Sequence, residues 1–268
     1  MPSISTTSAG RTPRRLTLPA LAFTLLFVIG GIWTLPRYGL TWDEGLGNLF
    51  FGQRYFWYFL SWDSKYLDFD AADLPIHQTA LNLYESPFRN APHEFPALAD
   101  TLSAGVMEIL GRWGGYDPID AFHLAKVVLS GVLLWVLFQF TRRRLGALAA
   151  LFAIVLLGSN PRFWGDMHFN PKDIPECALF SFTVMAFVRW LEKPSWRRAL
   201  AVGCLFGCSL AIKANALFLP FVFLLGALPW PFLNAPWEAL RFRVVHLWQC
   251  LAMLAIVPVI FFLSWPYL

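Results

Sequence analysis

The chain has 268 residues, of which 57% are hydrophobic and only 14% are Asp, Glu, Lys or Arg. Soluble domains are about one quarter charged, so this composition, with a mean hydropathy of +0.52, excludes a soluble globular protein and predicts an integral membrane protein. The net charge of +4 resides in short basic loops between apolar segments, so it gives no reason to expect a nucleic-acid partner.

The first apolar run covers residues 16–35 and follows a polar, basic tail at residues 1–15. About twenty apolar residues are enough to cross the hydrocarbon core of a bilayer. The run resembles a signal peptide, but it is long and no small-x-small cleavage pattern follows it. We therefore expect a retained anchor with a cytoplasmic N-terminus.

Residues 36–116 are the longest stretch without a predicted span, and the topology places them outside. Residues 46–62 are crowded with aromatic side chains, and residues 95–113 carry an apolar stripe at helical spacing. Each segment predicts an amphipathic helix lying in the membrane interface. The stripe consists of Phe95, Leu98, Leu102, Val106, Ile109 and Trp113.

Further apolar segments follow the loop, separated by short connections. They are residues 119–140, 145–157, 174–191, 199–212, 216–232 and 245–265. Every short loop rich in Lys or Arg then falls on one side, as the positive-inside rule requires. The sequence therefore predicts an all-α, multi-pass integral membrane protein with about seven transmembrane helices and two interfacial helices. We expect it in a bacterial inner membrane, with its active site on the periplasmic face.

Two acidic clusters fall on the same outer face by independent counting of spans. Asp43 and Glu44 follow the first span, and the stretch Asn170-Pro171-Lys172-Asp173 precedes the fourth. Most Asp-Glu pairs are merely solvated loop carboxylates. Here the position beside a membrane favours a site, with Asp43 as a general base and Glu44 in a supporting role.

Each residue around the second cluster has two interpretations. Asp173 fits the N-cap of the helix that follows, or a carboxylate of a functional site. Lys172 and Arg162 fit basic side chains that extend to the membrane edge, or cations that neutralise an anionic group near a helix N-terminus. Lys213 lies in a turn between two spans and is either an exposed loop lysine or a phosphate ligand.

Lys126 lies inside the second predicted span, below Asp120 and His123. An ionisable group inside a membrane is a candidate functional residue, although a lysine can also extend its ammonium to the interface. The cysteines lie in apolar stretches at spacings that match neither a zinc site nor a disulfide framework, and their residue type is typical of apolar packing.

A carboxylate base with nearby cations suits group transfer from a lipid-linked phosphate. Asp43 would take the proton of an acceptor hydroxyl. Lysines, or a divalent cation such as Mg²⁺ or Mn²⁺ held by Asp43 and Asp173, would stabilise the leaving phosphate.

The order of these motifs resembles a known family. It runs from Trp42-Asp43-Glu44 through His168-x-Asn170-Pro171-Lys172-Asp173-x-Pro175 to Ile212-Lys213-Ala214-Asn215. This resembles the membrane glycosyltransferases of the C-type fold, nearest the protein O-mannosyltransferase and lipid A aminoarabinose transferase branch. The resemblance covers essentially the whole chain, although its motifs are short.

The resemblance implies a role for each matching residue. Asp43 would be the catalytic base, and Asp173 or, less well, Asp166 would act at the donor phosphate or a metal. Asn170, His168, Lys172, Arg162 and Lys213 would line the donor-phosphate site. The donor would be a polyprenyl-phosphate sugar, the product inverted at the anomeric carbon, and the acceptor a hydroxyl of a protein, glycolipid or polysaccharide.

One departure from the family leaves an alternative open. Family members usually carry further spans and a C-terminal half that we expect to be absent here, because residues 16–268 cover only the shared module. The alternative is a non-catalytic lipid-binding protein, or a split or truncated subunit of such an enzyme. A transporter is a weaker hypothesis, because charge collects on the two faces rather than at the bilayer midplane.

Overall fold

The computed structural model describes residues 16–68, 74, 76, 96–227 and 244–266. Within these residues the chain forms ten α-helices and no strand. They are α1 (Thr17–Thr34), α2 (Leu49–Ser61), α3 (Leu98–Met107), α4 (Pro118–Leu145), α5 (Ala147–Gly158), α6 (Pro161–Phe169), α7 (Asp173–Glu192), α8 (Trp196–Leu210), α9 (Leu219–Ala227) and α10 (Val244–Leu263). The all-α fold class is confirmed.

Several predicted features lie outside the described residues. These are the N-terminal tail at residues 1–15, most of the polar segment between the two loop helices, and the connection before the last predicted span. The division of the chain into an N-terminal tail and a membrane module therefore stays a prediction.

Helix α4 forms the centre of the bundle and packs against α1, α3, α5 and α7. Its first turn is capped: the Asp117 carboxylate accepts hydrogen bonds from the backbone N–H groups of Ile119 and Asp120, and Pro118 occupies the first turn. One core cluster, which includes Phe27, Leu134 and other buried apolar side chains, joins α1, α4, α5, α6 and α7.

Helix α8 connects the centre of the bundle to α10. Gly203 and Gly207 lie one turn apart on α8, and a β-carbon at Gly203 would stand 2.8 Å from the backbone oxygen of Met253 on α10. Small residues four apart let two helix backbones approach closely, which is the main route to packing between apolar helices in a membrane. The two glycines therefore hold α10 on the bundle.

Each of the seven predicted spans overlaps a helical segment, although residues 228–232 of the sixth lie outside the described residues. Among the described residues, four helices are long and apolar enough to cross a membrane, or up to five if α5 and α6, which meet at a 60° bend, form one broken span. The chain is thus a multi-pass membrane protein, and the count of seven spans stays a prediction. The segment Ala214–Ala227 is one of the shorter apolar helices.

The connection between the predicted spans 145–157 and 174–191, which the sequence leaves as a loop, contains a helix. Nine of its residues form α6, because the Asn160 side chain accepts hydrogen bonds from the backbone N–H groups of Arg162 and Phe163 and so caps a new helix. Pro161 then fits the first turn, where a missing N–H costs nothing.

Both predicted loop helices are present. The second is amphipathic, but its apolar side faces outward and its polar side faces the protein. Its apolar stripe points outward, with Leu102 60% and Trp113 71% exposed, whereas Asp100, Ser103 and Glu108 are buried. A helix whose apolar side meets lipid and whose polar side meets protein shows this arrangement. The location of both helices in the membrane interface stays a prediction.

Candidate active site

A cavity of about 410 Å³ opens where the first loop meets the N-terminal end of α7. It brings together five of the predicted site residues from distant parts of the sequence: Asp43, Asn170, Lys172, Asp173 and Lys213. The other lining residues are Thr41, Gly47, Asn48, Phe51, Tyr55, Asp100, Phe169 and Pro171.

Asp43 stands at the cavity with its carboxylate accessible. It is exposed, and its carboxylate makes no hydrogen bond or ion pair with any residue that the structure describes. It directly precedes one turn of π-helix, Glu44–Asn48, that leads into α2. Such turns interrupt helices frequently at functional sites. An accessible carboxylate facing a cavity has the geometry of a proton acceptor.

Glu44, the next residue, points into the protein and does not line the cavity. Its side chain is fully buried, with Oε1 2.6 Å from Nζ of Lys126 and 3.1 Å from Nε2 of His123. Its other oxygen, Oε2, accepts hydrogen bonds from the backbone N–H and the hydroxyl of Thr41. Glu44 therefore joins the Asp43 turn to α4.

Charge determines the protonation state of this carboxyl. Burial alone would raise the pKa of Glu44, but the attraction of the Lys126 ammonium and the contact with His123 outweigh it and lower the pKa below its ordinary value. Lys126 is itself 1% exposed. Of its two predicted alternatives, extension of the ammonium to the interface is therefore excluded.

The first turn of α7 is built around Asn170. The Asn170 Oδ1 accepts hydrogen bonds from the backbone N–H groups of Lys172 and Asp173, and its Nδ2 donates to the Asp173 carboxylate at 2.9 Å. Asn170, rather than Asp173, thus satisfies the backbone N–H groups there. Asp173 is free for a second role, and its Oδ1 pairs with the Lys213 ammonium.

Sequence reasoning missed a second ion pair on the cavity wall. Lys172 Nζ lies 3.1 Å from Asp100 Oδ2 and donates to the backbone oxygen of Pro96 at 2.7 Å. Asn48 Nδ2 also donates to Asp100 Oδ2, at 3.0 Å. Burial raises the pKa of the Asp100 carboxyl, and Lys172 and Asn48 oppose this shift.

Two predicted phosphate ligands do not reach the cavity. His168 is fully buried, with its ring stacked 3.9 Å from that of Tyr38 and Nε2 2.8 Å from the hydroxyl of Thr34. Arg162 is largely exposed and pairs with Asp166 one turn later on α6. His168 instead fixes α6 against the end of α1.

No group of three or more His, Cys, Asp or Glu side chains within the described residues is placed to hold a metal ion. The two carboxylates predicted as ligands differ in availability, because Asp173 already contacts Lys213 and Asn170. Asp43 is the carboxylate with room for a cation. Mg²⁺ is commonly held by one or two carboxylates together with substrate phosphates.

Apolar helices of membrane-spanning length, joined in one bundle with a cavity lined by charged and aromatic side chains, define a multi-pass membrane protein. The family model described as dolichyl-phosphate-mannose-protein mannosyltransferase matches residues 96–265, more than half of the chain. The chain therefore belongs to this family of membrane glycosyltransferases, as the motifs indicated. The match includes four of the five predicted cavity residues but not Asp43. Searches of the curated proteins and of the solved structures found no match to this chain.

Proposed function

We propose that the protein transfers a sugar from a polyprenyl-phosphate donor to an acceptor hydroxyl, with inversion at the anomeric carbon. The observation that carries the proposal is the shared cavity: an accessible carboxylate, Asp43, stands in the same 410 Å³ space as Lys172 and Lys213. A general base and two cations suit this displacement, because the acceptor hydroxyl loses a proton and negative charge develops on the leaving phosphate.

Asp43 acts at the acceptor. Its carboxylate accepts the hydroxyl proton while the acceptor oxygen attacks the anomeric carbon from the face opposite the phosphate. The bond from the anomeric carbon to the phosphate oxygen breaks, and its electron pair stays on the departing polyprenyl phosphate. Attack opposite the leaving group inverts the configuration of the sugar.

Lys172 and Lys213 act at the donor phosphate. Asp100 and Asp173 hold the two ammonium groups in place on the cavity wall, so little reorganisation is needed when the phosphate arrives. The leaving group gains negative charge, which the cations neutralise, so a general acid is not required. If a divalent cation takes part, Asp43 or Asp173 would hold it, and it would supply further neutralisation of the phosphate charge.

The aromatic wall of the cavity suits the apolar part of the donor. Phe51, Tyr55 and Phe169 line the same space as the lysines, so the polyprenyl chain has apolar contacts next to a cationic site for its phosphate. We propose that this end of the bundle faces the periplasm, which is consistent with the arginines at the C-terminal ends of α4 and α7.

The test measures loss of ³H from the lipid-soluble donor polyprenyl-phosphate-[³H]mannose in membrane vesicles that contain the full chain. Asp43→Asn should lower kcat by about 10²- to 10⁴-fold with little change in KM. Asp63→Asn is the matched control, because the Asp63 carboxylate is 42% exposed and, within the described part of the chain, forms its ion pair with the exposed Lys65, and it should retain wild-type kinetics.

Two results would show which part of the proposal is wrong, the identity of the base or the catalytic activity itself. Wild-type turnover by both Asp43→Asn and Asp43→Ala would show that Asp43 is not the base. Binding of the donor without turnover by the wild-type chain would instead favour the non-catalytic lipid-binding alternative.

A further inference from the structure

A second cavity, of about 460 Å³, lies between α4, α7 and α8. Three arginines line it: Arg143, Arg189 and Arg198. The rest of its wall is apolar and includes Val136, Phe182 and Leu205. The cavity thus combines a cationic part with an apolar groove, and it shares no lining residue with the candidate active site.

The two cavities lie at opposite ends of the same helices. On α4, about 26 Å of helix separates Lys126, which holds the Asp43 turn, from Arg143, at 1.5 Å per residue. On α7, about 24 Å separates Asp173 from Arg189 by the same measure. These lengths approach the hydrocarbon thickness of a bilayer, about 30 Å. The arginine cavity therefore lies at the membrane face opposite the candidate active site.

The positive charge in this cavity is only partly neutralised by the protein. Glu192 pairs with Arg144, 2.6 Å away, which is not a lining residue. Arg143 and Arg189 form no ion pair within the described part of the chain. Arg198 Nη1 donates to the backbone oxygen of Arg189 at 2.6 Å, which fixes its guanidinium at the cavity.

We propose that this cavity binds an anionic glycerophospholipid, with the phosphate between the guanidinium groups and one acyl chain in the apolar groove. Guanidinium groups form strong, often bidentate, hydrogen bonds to phosphate oxygens. Basic pockets between membrane helices have the charge that anionic headgroups require. The apolar walls select a lipid over a water-soluble anion, since a free phosphate leaves the groove unfilled. A zwitterionic headgroup brings an ammonium that the arginines repel.

The experiment places the full chain in nanodiscs of equal amounts of phosphatidylglycerol and phosphatidylcholine with identical acyl chains. The lipid that stays bound after transfer to detergent is measured by native mass spectrometry. The wild type retains phosphatidylglycerol in preference. Arg143→Gln and Arg189→Gln each lower that retention, by about fivefold. Ala201→Trp fills the groove at a lining position without a change of charge, and it lowers the retention as well.

Arg197→Gln is the matched control, because Arg197 is exposed beside Arg198 but does not line the cavity. It leaves the retention at the wild-type value. An equal loss in Arg197→Gln and Arg189→Gln would show general surface attraction and overturn the proposal. Equal retention of the two lipids by the wild type would overturn it, as would displacement of the lipid by millimolar inorganic phosphate. Size-exclusion elution confirms that each variant is folded, and Ala201→Trp tests the groove if an arginine variant fails to fold.

Discussion

Replacement of Lys126 by methionine tests whether the buried ion pair to Glu44 holds the first loop on the bundle. The two charged atoms are 2.6 Å apart, and both side chains are at most 1% exposed. At an effective dielectric constant near 20, that separation corresponds to about 6 kcal/mol of attraction before desolvation is subtracted. Lys126→Met leaves the carboxylate buried without its ammonium, and loss of one partner of a buried pair costs about 3–5 kcal/mol. His123 remains 3.1 Å from the same oxygen, so we expect the lower end of that range.

The measurement is a double-mutant cycle of unfolding in detergent micelles, followed by tryptophan fluorescence. Glu44→Gln alone leaves the Lys126 ammonium buried and should also destabilise the protein. The double variant, Lys126→Met with Glu44→Gln, should lose about 2 kcal/mol less than the sum of the two single variants. Single losses that add to within about 0.5 kcal/mol would refute the reasoning, because they would show that the two groups do not interact.

Three further predictions concern the cavity and its support. Gly52→Ala places a β-carbon 2.5 Å from the backbone oxygen of Asp100, so it should lower the free energy of unfolding by about 1–3 kcal/mol. Gly39→Ala is the control: a β-carbon there has nothing within 4 Å, so this variant should keep nearly the wild-type melting temperature. The pKa of Asp100 is raised above its ordinary value of 3.8, so the folded state binds a proton there more tightly than the unfolded chain does. The free energy of unfolding should therefore increase as the pH falls through this raised pKa towards 3.8. Asp100→Asn should remove this part of the pH dependence of unfolding. Lys213→Met removes the cation that pairs with Asp173 and should raise KM for the polyprenyl-phosphate sugar by about tenfold, equivalent to about 1.4 kcal/mol. Lys213→Arg keeps a positive charge and should recover most of the affinity. Equal KM values in the two variants would contradict a role of the Lys213 charge in donor binding.

Much of the candidate site was predictable because membrane topology is readable from the sequence. Apolar run lengths and basic loops placed Asp43 and Asp173 on one face, and the structure puts both on one cavity. The capping pair Asp117 and Pro118 was likewise readable, since the N-cap contact is local.

Contacts that depend on the direction of a side chain were not predictable. The side chains of adjacent residues on a turn point in different directions. The Asp43-Glu44 sequence therefore does not indicate that Asp43 faces the cavity while Glu44 faces Lys126. Asp100 was missed for a related reason. Its helical pattern fits equally well a polar side that meets water and a polar side that meets protein, and only the packing of α3 on α4 and α2 decides between them.

The outward-facing apolar stripe of α3 and of the π-helical turn Glu108–Trp113 that continues it also determines which residues are replaceable. Leu102, Ile109 and Trp113 are 60%, 48% and 71% exposed, so exchange among apolar residues of different shape should be tolerated at these positions. Ser103 and Glu108 fit fixed surroundings, and even a small polar replacement there disturbs them. A soluble amphipathic helix shows the reverse pattern, with strict apolar positions and permissive polar ones. In a substitution scan, the segment 98–113 would therefore be recognised by its variable leucine and tryptophan positions and its invariant serine and acids.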